Sequence, residues 1–201
     1  MSDRIEDLAR AFERFPGIGP RQAKRFVYHL LSTPQSDRTR MADLITKLGN
    51  DVRQCRMCMR FSPVNADTLC GYCADARRDD SLLMLVEKDQ DLAAVERANT
   101  YRGRYFVLGG VLTLSGKGAI RERDLIRVVE ARSKSGLAEI VLALSATSEG
   151  EHTADRVREL LSPLRGQIKL SMLGRGLATG SELEYSDAET LSGALANRKE
   201  T

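Results

Sequence analysis

Four cysteines leave one stretch of this chain very little conformational freedom. They read Cys55-Arg56-Met57-Cys58, then eleven residues, then Cys70-Gly71-Tyr72-Cys73, and the chain holds no other cysteine. A CxxC pair sets two thiolates on one tight turn, and two such turns complete the tetrahedral shell of a single Zn2+. All four thiols are consumed and no coordination position is left for a water, so the pattern implies a structural metal. A redox motif would need only one CxxC beside a βαβ pattern. Residues 54–77 hold few large apolar side chains beyond Met57, Phe61, Leu69 and Tyr72, so the metal is expected to supply most of the module's folding energy. On this basis Cys58→Ser is expected to release zinc and destabilise 54–77 while sparing the sheet domain. Reduced thiols and an N-terminus without an apolar signal core point to a cytoplasmic protein, and no apolar run is long enough to span a membrane.

Before the cysteines the periodicity is helical. Ile5, Leu8, Ala9, Phe12 and Phe15 share one face of a helix over about 4–15. Ala23, Phe26, Val27, Leu30 and Leu31 mark a second over about 21–31, and Met41, Leu44, Ile45, Leu48 and Val52 are expected inside a third over about 38–52. Pro16-Gly17-Ile18-Gly19-Pro20 separates the first two. Gly17 and Gly19 permit a tight turn and close approach of another molecule, and the free amides of the next helix can hold a phosphate. Arg21, Lys24 and Arg25 fall in that helix's first turns, with Arg21 and Arg25 on one face. Residues 1–60 carry 12 Lys/Arg against 7 Asp/Glu, whereas 81–201 carry 17 of each. Together these features describe a helix-hairpin-helix element that grips DNA through phosphates, without sequence preference. A solvated helical turn is the plainer alternative.

After the cysteines the texture becomes α/β. Apolar runs at 82–86, 105–108 and 140–144, with a weaker one at 167–172, read as buried parallel strands. Helical segments near 92–98, 122–133 and 152–161 separate them, and a last helix lies near 187–197. The alternation implies a Rossmann-like sheet, so the chain as a whole is expected to be α+β and multidomain. Glu87 directly follows the first strand, and Glu149 and Glu151 follow the third. Residues just past parallel strands gather at one edge, where carboxylates can hold Mg2+ or meet a partner. Equally, Glu149 and Glu151 can simply open a helix and favour its dipole. His29 and His152 have no catalytic partner arrangement, and Gly116-Lys117-Gly118 lacks the rest of a phosphate loop.

The ordered set resembles the RecR family of bacterial recombination mediators. It runs from Pro16-Gly17-Ile18-Gly19-Pro20 and the four cysteines through Val86-Glu87 and Tyr101-Arg102-Gly103-Arg104-Tyr105. It continues to Glu149-Gly150-Glu151 and Leu183-Glu184-Tyr185-Ser186-Asp187. The resemblance implies a helix-hairpin-helix region over 1–53, a four-cysteine zinc finger over 54–77, a Toprim α/β domain over 80–173 and a Walker-B-like C-terminal segment with a helix over 174–201. It also implies DNA repair with RecO and, in some contexts, RecF, helping to load RecA on single strands coated by SSB. Binding of single- and double-stranded DNA, homodimers or ring-like homotetramers, a nucleoid-associated location and a DNA-binding role for Arg21 and Arg25 follow from the same resemblance. The family's Asn-Pro-Thr-Val-Glu-Gly-Glu is here Ser145-Ala146-Thr147-Ser148-Glu149-Gly150-Glu151, and its Gly-Leu-Pro is Gly176-Leu177-Ala178.

Two function classes compete. One is a non-enzymatic clamp and adaptor. The other is a Mg2+-dependent Toprim enzyme, which needs a Glu after the first strand and an Asp-x-Asp after a later one. Positions 145 and 147 are Ser and Thr, so the second set of ligands is missing and two-metal chemistry is disfavoured. The adaptor is the expected class.

Overall fold

Asp3 starts the first helix by accepting the Ile5 N–H on its carboxylate at 2.9 Å. In the computed structural model, which describes residues 3–63, 69–116, 118–164, 166–174 and 176–198, the chain divides into two units at Val52 and Arg53. In the first, α1 (Arg4–Glu13) and α2 (Pro20–Ser32) pack through small residues. Ala9, Ala23 and Val27 are buried between them, flanked by Ile5, Phe12 and Ile18. Phe12 meets Phe26 edge to face at 5.7 Å.

The third helix, α3 (Gln35–Asp51), departs from expectation. It forms where the spacing places it, yet buries none of its residues: Met41, Leu44, Ile45 and Leu48 are 48–63% exposed. Phe15 and Leu31, which share the apolar faces of the first two helical segments, are exposed as well. Periodicity identifies an apolar face but not what covers it. Here the α1–α2 core is closed by small side chains, and the α3 face lines an apolar groove of about 500 Å³ with Leu8, Phe15 and Leu31.

The second unit is built on a four-stranded parallel sheet in the order β4-β3-β5-β6. Two short strands, β1 (Val52–Gln54) and β2 (Phe61–Pro63), and the four-residue helix α4 (Gly71–Ala74) precede it and carry the cysteines. Strand β3 (Asp79–Val86) is central, with β4 (Gly103–Val107) on one side and β5 (Glu139–Ala143) on the other; β6 (Lys169–Met172) pairs outside β5. Alternation assigns the two faces. Leu83, Leu85, Phe106, Ile140 and Leu142 face α6 (Glu122–Ser133) and α7 (Ser148–Leu160), where Leu125, Val128, Val129, Ala154 and Val157 meet them. Met84, Val86, Tyr105 and Val107 face α5 (Asp89–Ala98) through Leu92 and Val95. The continuous apolar runs are thus strands covered on both faces, as the sequence implies. A 3-10 turn (Leu183–Tyr185) and α8 (Ala188–Ala196) end the described chain, and Asp187 caps α8 by accepting the Thr190 N–H at 2.8 Å.

Candidate nucleic-acid interface and metal centre

The hairpin is shaped by one glycine and left open by another. Gly17 sits at φ +76°, where a side chain would be strained. Gly19, with φ −90°, is the N-cap of α2, and a Cβ there would meet nothing within 4 Å. Neither conformation nor packing within the chain requires a glycine at 19. No side chain caps α2, and Pro20 occupies its first turn, so the amides that follow remain directed outward at the positive end of the helix dipole. Arg21, Lys24 and Arg25 are all exposed. Lys24 Nζ pairs with Glu6 at 2.7 Å, and this carboxylate raises the lysine's pKa. Among the described residues no ion pair forms at Arg21 or Arg25, so these two guanidiniums are available to an anion.

The four cysteines converge. Their ligand atoms all lie within 4.8 Å of one another, and Cys58 Sγ is 3.4 Å from Cys70 Sγ. Zn–S bonds of about 2.3 Å need sulfurs about 3.8 Å apart at tetrahedral corners, which this arrangement meets with small adjustment. Backbone bonds shape each turn: the Met59 N–H reaches the Cys55 carbonyl at 2.9 Å, with Met59 at φ 60°, and the Cys73 N–H reaches the Cys70 carbonyl at 3.0 Å. Four thiols this close cannot ionise independently. Hydrogen bonding from Cys58 draws the Cys55 thiol far below its ordinary value, and Cys55 pushes Cys58 up in return. A cation removes that conflict by accepting every thiolate. Residues 64–68 of the expected finger lie outside the described residues.

This module is not an independent bead. The Val107 N–H on edge strand β4 donates to the Cys58 carbonyl at 2.8 Å. Met57 and Met59 pack on one sheet core, and Tyr72 packs on the other. From β4, Arg104 is nearly buried and donates to the carbonyls of Tyr72 and Cys73 at 2.8 and 3.1 Å while pairing with Asp80 at 2.8 Å. The Phe61 N–H donates to Asp89 at 3.0 Å. The cysteine module therefore caps the β4 edge and straddles both faces of the sheet. Sparing of the sheet in Cys58→Ser, expected above, does not follow from this geometry. The sequence showed Arg104 only as a member of a motif; its role needs the β3–β4 pairing to be visible.

At the carboxyl edge of the sheet, Glu87 is 8% exposed and its Oε1 accepts both the N–H and the Oγ–H of Ser145 at 2.6 Å. Ser145 Oγ also lies 3.2 Å from Thr147 Oγ1, and Thr147 caps α7 by accepting the Gly150 N–H at 3.1 Å. Ser145 and Thr147, read in the sequence as absent acids, thus form a hydrogen-bonded knot around Glu87. Gly150 lets this loop lie on α7, because a Cβ there would collide with the Ser145 carbonyl. Glu149 and Glu151 occupy the first turn of α7. Among the described residues the four cysteines form the one group of three or more ligands placed to hold a metal; Glu87, Glu149 and Glu151 do not come together as one.

Comparison with known proteins agrees with this architecture. Residues 5–48 match the model of the RecR helix-hairpin-helix, 81–173 that of the Toprim domain and 176–199 that of the RecR C-terminal region. Proteins named Recombination protein RecR align along nearly their whole length. The one from a Ruegeria species is 40% identical over 198 residues, covering 98% of this chain and 96% of its own. That of Mycobacterium leprae is 38% identical over 199 residues, covering 97% and 96%, and that of Bifidobacterium adolescentis is 37% identical over 195, covering 97% and 95%. The chain belongs to the RecR family. A part in recombination and repair follows, with a helix-hairpin-helix, a Toprim fold and a four-cysteine metal site in one RecR-family chain. No helix among the described residues is long and apolar enough to cross a membrane.

Proposed function

We propose that this chain is a non-enzymatic DNA clamp and adaptor for recombinational repair. It acts with RecO, and in some contexts RecF, to help load RecA on single-stranded DNA coated by SSB. It binds single- and double-stranded DNA through Gly17, Gly19, Arg21 and Arg25, with Lys24 contributing once released from Glu6. Cys55, Cys58, Cys70 and Cys73 hold one structural Zn2+. Assembly as a homodimer or homotetramer and a cytoplasmic, nucleoid-associated location complete the proposal. So does the division into a hairpin region over 1–53, a zinc finger over 54–77, a Toprim domain over 80–173 and a C-terminal segment over 174–201.

The observation that carries the DNA assignment is the hairpin: an uncapped helix start, a glycine required by nothing inside the chain and two guanidiniums without counter-ions among the described residues. The adaptor class is favoured over a Mg2+ enzyme by the knot around Glu87, where a hydroxyl occupies the place a second ligand would take. Mg2+-dependent cleavage of DNA by the purified protein, removed in Glu87→Gln, would overturn that choice. Arg21→Ala with Arg25→Ala should weaken binding to single-stranded DNA at least about tenfold, alike for all sequences. The slope of log K against log salt should fall by about one to two units. Unchanged affinity and slope would remove the hairpin from the binding surface.

A further inference from the structure

Where the cysteine module meets the sheet, a cavity of about 550 Å³ is lined by Arg60, Lys88 and Arg121, together with Asp89, Gln90 and Gly109. Three positive charges face one carboxylate. No ion pair forms at Arg60, Lys88 or Arg121 among the described residues, and the one acid already accepts the Phe61 N–H through Oδ1. The two arginines are held in place by different parts of the fold. The Arg60 guanidinium stacks 4.6 Å over the Tyr72 ring, and its Nε is buried with no hydrogen-bond partner. Arg121 donates to the Val107 carbonyl at 2.8 Å and lies against Gly109, where a Cβ would stand 2.9 Å from its guanidinium carbon. Lys88 immediately precedes α5, whose positive dipole end forms part of the wall. Like charges gathered in one concave site repel one another unless an anion enters. The planar forks of two arginines beside an ammonium suit a phosphoryl group.

We propose that this cavity binds a phosphoryl group, supplied either by a DNA strand or by a free phosphorylated small molecule. It uses none of the hairpin residues. Asp89 fixes β2 to the start of α5, so the cysteine module delivers Arg60 to the site and the metal supports it indirectly.

The full-length Arg21→Ala, Arg25→Ala protein provides a background in which hairpin binding is weakened. Its amide resonances would be followed during titration with inorganic pyrophosphate, and then with an oligothymidylate. Saturable shifts at Gln90 and Gly109 are expected. They should weaken about tenfold in Lys88→Gln and recover in Lys88→Arg, as loss and return of one charged contact demand. If the oligonucleotide displaces pyrophosphate, the ligand is a DNA phosphate; if pyrophosphate binds and the oligonucleotide does not compete, it is a small phosphorylated molecule. Absence of shifts with both probes, or equal affinity in Lys88→Gln whose melting temperature matches its parent, overturns the proposal.

Discussion

Glu87 follows β3 with a carboxylate that is nearly buried, and both donors of Ser145 converge on its Oε1. A carboxylate in this state acts as a brace between β3 and β5. Glu87→Ala should therefore lower stability by about 1–3 kcal/mol by leaving the Ser145 N–H and hydroxyl unpaired; urea denaturation would measure this, and an unchanged midpoint would show the brace to be idle. The sequence revealed part of this. Ser145 and Thr147 in place of acids pointed away from two-metal chemistry. Their bonds to Glu87 could not be read, because positions so far apart in the chain meet only when β3 and β5 pair. That Arg21 and Arg25 lie four apart on one helix was legible for the opposite reason: helical spacing is local. That Lys24 is tied to Glu6 depends on how α1 and α2 pack and was not visible.

Strand β4 is the element on which the second unit turns. Its outer edge would be open to pairing with another chain, and the cysteine module covers it through the Val107–Cys58 bond. Cys58→Ser should release the metal, by elemental analysis. Amide protection at Val107 should drop at least about tenfold, because the strand loses its cap. Full protection at Val107 in the metal-free variant would show the two parts to be separable. Arg104 adds a pH-sensitive contact. Its guanidinium, with that of Arg132 behind it, holds the Asp80 carboxyl below the ordinary carboxylate value. A depressed folded-state pKa stabilises the fold above the unfolded value of about 4, and that contribution disappears as pH falls through the folded one. Asp80→Asn should flatten the acid limb of the stability profile below about pH 4; an unaltered limb would contradict the pairing. Strand and helix positions were legible from apolar period alone, within a few residues. The burial of α3 was not, since the same stripe of Met41, Leu44, Ile45 and Leu48 would mark a covered or an exposed face.

At the scale of the whole molecule, the chain combines an open basic hairpin with a Toprim fold in which Glu87 is tied to Ser145. The first presents two guanidiniums, Arg21 and Arg25, that form no ion pair among the described residues. Among the described residues of the second, no carboxylates gather as three ligands for the metals that cutting or joining would use. Membership in the RecR family accounts for their occurring together, and the proposed mediator role gives both a purpose. The measurement that bears on this most directly is the rate at which RecA forms filaments on SSB-coated single-stranded DNA, with the chain and RecO added together or RecO alone. Addition of the chain should accelerate loading, and Arg21→Ala with Arg25→Ala should abolish most of that acceleration. A loading rate unaffected by the chain, or one that the double variant accelerates as well as the parent does, would contradict the account.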